Sequence, residues 1–187
     1  MRNINMTLCA MALAAVSTTG FAATKGTVTF NGELIADTCT IKSGTENRNV
    51  TLPKLSVQPL NADGVEAGSV GFDIEVENCP SKITQVGAHF EAIGSSGVNS
   101  VTNNLTNVYV PTGANDSKAN NVEIRLYNAD AQKQLKLGDT GKMFDIIRPN
   151  PTANGTATLR YYGGYYATGQ TTVGKVLARA NYTLAYP

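Results

Sequence analysis

Residues 174–187 read GKVLARANYTLAYP. Val176, Ala178, Ala180, Tyr182, Leu184 and Tyr186 occupy alternate positions. Lys175, Arg179, Asn181 and Thr183 fall between them, with Leu177 and Ala185 as lapses. Successive side chains of a β-strand point to opposite faces, so this period of two predicts a half-buried strand. It runs up to the final residues, where chains are usually frayed and polar. What lies beside it decides the fold.

Upstream the same period returns again and again, separated by Gly, Asn, Asp and Pro. GTVTFNGELI (26–35) alternates Val28, Phe30, Gly32 and Leu34. DTCTI (37–41) and NVTLP (49–53) are short strands, the second stopped at Pro53. SVGFDIEVENC (69–79) turns Phe72, Ile74 and Val76 inward and Asp73, Glu75 and Glu77 outward. ITQVGAHFEAI, LTNVYV, NVEIRLYN, KQLKLG and TATLRYYGGYYAT follow in order. Helix signals are nearly absent. Short alternating strands without helices predict an all-β antiparallel sandwich, immunoglobulin-like in arrangement. The chain has no tryptophan, so the antibody type of core is not expected. Residues 94–121, rich in Ser, Asn and Gly apart from LTNVYV, read as long surface loops.

The beginning of the chain sets the compartment. Met1-Arg2 give a short positive start, an apolar run extends from Met6 to Val16, and small residues lead to TTGFAA. Cleavage after Ala22 places Gly20 and Ala22 where a signal peptidase needs small side chains. Residues 1–22 therefore read as a secretory signal peptide, too short in its apolar run to span a bilayer. About 165 residues remain, enough for one domain with a real core. Losing Arg2 with the leader leaves basic and acidic side chains equal in number. A balanced chain argues against a nucleic-acid partner, which needs a basic stripe. Little net charge also means little repulsion between copies. Of three cysteines, Cys9 falls in the leader, and an even pair in an exported chain reads as a Cys39–Cys79 disulfide. Closing a loop of about 40 residues stabilises by about 4 kcal/mol on the chain-entropy account.

Catalytic chemistry finds little support. His89 is the only histidine, and GAHFE places it in an ordinary strand. Asp73, Glu75 and Glu77 share a face, as a calcium site would need, but an outward carboxylate row on a strand is usually solvated. No glycine-rich loop precedes a helix, so nucleotide binding is not expected. No catalytic residue, metal or cofactor emerges. YYGGYY (161–166) has two readings: an aromatic platform for sugar rings, or core packing beside a groove, with Tyr161, Gly163 and Tyr165 inward. Gly163 and Gly164 would let another chain approach closely.

Taken in order, GTVTFNGELIADTC, VTLPKL, VGFDIEVENC, NVEIRLYN, LKLG, LRYYGGYYATG and the tail from Gly174 to a penultimate Tyr186 resemble a major subunit of chaperone–usher fimbriae, in the type 1 pilin family. Pro187 as last residue departs from that pattern. The resemblance implies an immunoglobulin-like sandwich missing its last strand, completed by donor-strand exchange. Residues 23–36 would be the donor extension, with Val28, Phe30, Gly32 and Leu34 as donor residues, and 37–187 the pilin domain. Tyr161, Gly163, Tyr165, Gly174, Val176, Tyr182, Leu184 and Tyr186 would line the groove or pair with the chaperone. The implied partners are other copies of the chain in a head-to-tail fibre, a periplasmic chaperone, an outer-membrane usher and a tip adhesin. The implied location is the cell surface, reached through the periplasm. Two alternatives stay open: a minor adaptor or tip subunit, and a self-contained secreted sugar-binding sandwich.

Overall fold

A computed structural model of the chain describes residues 25–35, 37–94, 97–129 and 133–187. The expected signal peptide, residues 1–22, lies outside the described residues. The chain divides into two units at Leu34/Ile35. Over residues 25–34 the first has no strand, although its sequence alternates. Val28, Phe30 and Leu34 are 77%, 90% and 101% exposed, so the alternation has nothing to bury against.

The second unit, Ile35–Pro187, is built of strands, with no α-helix among the described residues. In chain order they are β1 (Thr40–Ile41), β2 (Glu66–Cys79), β3 (Gln85–Ala92), β4 (Leu105–Thr106), β5 (Val122–Tyr127), β6 (Gln134–Leu135), β7 (Phe144–Asp145), β8 (Gly155–Ala167) and β9 (Ala180–Ala185). One sheet runs β1-β2-β8-β5-β4, with β6 also on β5. The other runs β7-β3-β9. All the named pairs are antiparallel. Ile74 and Val76 of β2, Leu126 of β5 and Leu159 and Tyr161 of β8 meet Val86, Ala88 and Phe90 of β3 in one core. Two antiparallel sheets sharing an apolar interior make the sandwich that the alternation demands.

β2 shows how sequence becomes face. Ile74 and Val76 are 0% and 2% exposed, while Asp73 and Glu75 point outward. Asp73 takes two hydrogen bonds from Arg160 of β8, one at 2.7 Å from Nε, and Glu75 pairs with Lys42 at 2.6 Å. Asp73 and Glu75 are thus cation-paired on the outer face. A bulge between Val76 and Cys79, with Asn78 in the left-handed region (φ 54°), then rotates the strand by one residue. That turns Cys79 inward to its disulfide with Cys39.

Several expected strands shrink. NVTLP forms none, LTNVYV keeps Leu105–Thr106, KQLKLG keeps Gln134–Leu135, and the tail keeps Ala180–Ala185. Nor is the 94–121 region all surface: Asn104 and Asn107 are 1% and 7% exposed. Asn104 donates to Glu123, itself buried on β5, at 3.0 Å, and the Thr102 hydroxyl donates to the same carboxylate at 2.6 Å. The Asn104 amide and the Thr102 hydroxyl together satisfy that buried carboxylate.

Candidate functional site: an open strand edge

Ladder bonds alternate along an antiparallel pair, so each residue of a strand turns its N–H and C=O to one side only. On β3, the Phe90 carbonyl accepts from Gly138 at 2.7 Å and the Ala88 carbonyl from Gly141 at 2.8 Å, both away from β9. The β3–β9 ladder therefore runs through Gly87–Ala185, His89–Thr183 and Glu91–Asn181. It follows that Ala180, Tyr182 and Leu184 turn their backbone groups to the outer side of β9. No strand pairs with that side among the described residues. β9 is an edge with unpaired donors and acceptors, a template for another strand.

The side chains of the same residues face the core without being covered. Ala178, Ala180, Tyr182, Leu184 and Tyr186 pack against the core cluster yet remain only half-buried. Phe90 links them inward, its ring 6.3 Å from Tyr182 and 5.1 Å from Tyr161. Across the opening, Cys39 N–H donates to the Tyr186 hydroxyl at 2.9 Å, and the Tyr182 hydroxyl donates to the Glu46 carbonyl at 3.0 Å. These bonds tie β9 to the far sheet at its β1 edge. Partial burial pushes both phenols above their ordinary pKa, so they stay neutral. At the C-terminal end lies a cavity of about 480 Å³ bordered by Ile35, Asp37, Ile83, Tyr186 and Pro187.

The other residues singled out in the sequence spread around this edge. Tyr161 is fully buried, its hydroxyl accepting from Ala88 N–H at 3.0 Å and donating to the Lys142 carbonyl at 2.9 Å. Gly163 is buried on β8, where a Cβ would make ordinary contact with Leu126 and Ile124. The close approach belongs to Gly164, whose Cβ would stand 3.0 Å from the Ser69 backbone. Tyr165 is half-buried, donating to the Pro53 carbonyl at 3.2 Å. Tyr162 lies over Gly71, and Arg125 sits 3.7 Å above the Tyr166 ring. The four tyrosines of YYGGYY are thus divided between the two faces of the sheet. His89 stays on its strand, bonded to Thr140 at 3.0 Å.

Gly174 sits where a Cβ would collide with the Lys118–Ala119 backbone at 2.4 Å. Its absence of a side chain lets residues 175–177 bond to the 107–119 region. Lys175 N–H donates to Ser117 and Ala119 N–H to Lys175. Asn107 is the hub that sequence reasoning missed. It donates to the carbonyls of Ala119 and Lys175 and accepts from the amides of Tyr109 and Leu177. Only its interruption of the alternation in LTNVYV hinted at such a role. Val176, half-buried, follows directly and leads the inward row toward β9.

Fold and edge together define an immunoglobulin-like sandwich with one strand position open. The fimbrial protein family matches residues 28–187 of this chain. The chain is 36% identical over 180 residues to the F17 fimbrial protein of Escherichia coli, covering 93% of this chain and 94% of that one. It is 31% identical over 179 residues to the minor fimbrial subunit HifD of Haemophilus influenzae, covering 88% and 75%. Among solved structures, a subunit of a chaperone–usher pilus superposes with a TM-score of 0.57 at 22% identity, over 89% of this chain and 98% of that chain, a likeness of fold. The chain belongs to the fimbrial protein family and is a structural subunit of surface fimbriae.

Proposed function

We propose that the chain works by assembly and not by catalysis: residues 23–36 of one copy fill the open edge of the next by donor-strand exchange. The observation that carries this reading is a matched pair of deficits. β9 has a free backbone edge above half-buried apolar side chains, and Val28, Phe30 and Leu34 alternate in a segment that leaves them exposed. Burying those three side chains contributes about 1.5–3 kcal/mol each, and each ladder bond adds about 0.5–1.5 kcal/mol net. Val176, Tyr182, Leu184 and Tyr186 line the groove, Tyr165 flanks it, Tyr161 and Gly163 form the packed floor, and Gly174 fixes its entrance. Gly32 offers no side chain where the groove is shallow. Such strand addition between unlike surfaces does not close on itself, so it propagates a filament. A groove left empty is an aggregation hazard, which is the physical need for a periplasmic chaperone before an outer-membrane usher joins the copies.

Deleting residues 23–34 after the signal peptide tests the reading. The truncated subunit should still accumulate with its chaperone while surface filaments disappear from electron micrographs. Filaments of normal length would refute donor-strand exchange. Its rank in the fibre is read from its abundance in sheared filaments: a dominant band marks a major subunit, a trace band a minor or tip one.

A further inference from the structure

The outward row of β9 carries information that burial does not use. Arg179 is exposed and makes no ion pair among the described residues, whereas Lys175 on the same row is engaged by Asp116 at 3.1 Å. In the extension, Glu33 is likewise exposed and unpaired. Both positions have outward parity: Glu33 lies between Gly32 and Leu34, and Arg179 between Ala178 and Ala180.

Resting on the strand-exchange reading above, we propose that Glu33 of the incoming copy lies directly opposite Arg179 of the accepting copy, and that this pair sets an antiparallel register. Every other position then follows. Asn31 meets Asn181 and Thr29 meets Thr183 on the outer face, two pairs of matched hydrogen-bonding side chains. Phe30 meets Tyr182, Val28 meets Leu184 and Leu34 meets Ala178 on the inner face. Sliding the donor by two residues in either direction puts Glu33 opposite Leu177 or Asn181 and dissolves both matched polar pairs. The edge geometry favours the contact as well. Because Ala180, Tyr182 and Leu184 present their backbone groups to the donor, the Asn181 and Arg179 positions become non-hydrogen-bonded pairs. In such pairs opposing side chains come closest.

Cysteine pairs in full-length fibres test the register. Asn31→Cys with Asn181→Cys places two Cα atoms about 4.5 Å apart, within reach of a disulfide. A non-reducing gel should show a ladder of covalent oligomers that collapses on reduction. Asn31→Cys combined with Arg179→Cys or with Thr183→Cys is a diagonal pair about 7–8 Å apart and should stay monomeric. A ladder from either companion overturns the register while leaving strand exchange intact. Fibres with no ladder from any pair overturn this register as well. Charge variants give an independent readout that needs no added thiol. Glu33→Arg or Arg179→Glu alone should lower fibre yield about fivefold, and both on one chain should restore it. A double variant no better than either single one refutes the pair.

Discussion

β3 and β9 lie side by side in one sheet, face one core and carry the same inward period. On β3, Val86, Ala88 and Phe90 are 0%, 0% and 3% exposed. On β9, Ala180, Tyr182 and Leu184 stay half-buried. The residues do not differ in kind; their neighbours do. β3 is flanked by β7 and β9, while β9 has β3 on one side and nothing described on the other. An alternating sequence states which face wants burial, and strand order decides whether it gets it.

The sharpest way to break that comparison is to truncate one residue from each strand. Phe90→Ala should cost about 3–5 kcal/mol in the urea unfolding of the subunit, as for any filled core position. Leu184→Ala should cost only about 1 kcal/mol while the groove is empty. Once residues 25–35 of another copy, supplied as a peptide, occupy the groove, that cost should rise to about 2–5 kcal/mol. Equal costs in the empty state would mean that β9 is already covered.

Beneath the groove, Tyr161→Phe removes a hydroxyl that serves two backbone groups, the buried Ala88 N–H among them, and should cost about 1–3 kcal/mol. Burial pushes this phenol up to about 12. Its folded pKa lies above the unfolded value of about 10, so its contribution is intact below pH 10. It is lost as pH rises through about 12. Alkaline unfolding followed by circular dichroism should therefore be shallower in the variant.

The smallest effect concerns the loop that holds Lys175, just ahead of β9. The Tyr109 hydroxyl, then the Thr112 amide and Lys175, hold the Asp116 carboxyl far below its usual range. Its contribution is present above the unfolded value of about 3.9 and fades as pH falls toward the depressed folded one. Asp116→Asn should loosen residues 109–117 only slightly at neutral pH. Amide exchange should show that loosening there and leave β3 unchanged.

Much of this was legible in advance, for a physical reason. Where a strand buries one face, as in β2, β3, β8 and β9, the side-chain period is written directly into residue order. The Cys39–Cys79 bond followed from export and an even count. What stayed hidden depends on partners distant in sequence. Glu123 reads as an outward strand residue, yet Asn99, Thr102 and Asn104 fold over it. Val50 and Leu52 alternate like a strand but find no ladder. Asn107 and Gly174 matter because two irregular segments meet there, and the break in alternation at Asn107 is the one local trace of that meeting.

The Cys39–Cys79 bond has a mechanical corollary. Tension drawn along residues 25–34 enters the domain at Ile35 and soon reaches Cys39, where the sulfur bridge passes it into the end of β2. β1 spans two residues at the rim of its sheet and alone would unzip under a modest pull. Instead the stress is delivered to the Cys79↔Gly155 end of a ladder that continues to Glu66↔Tyr166. A filament joined by the proposed strand exchange and stretched by flow would therefore tug on the longest ladder described in each subunit and spare the weakest.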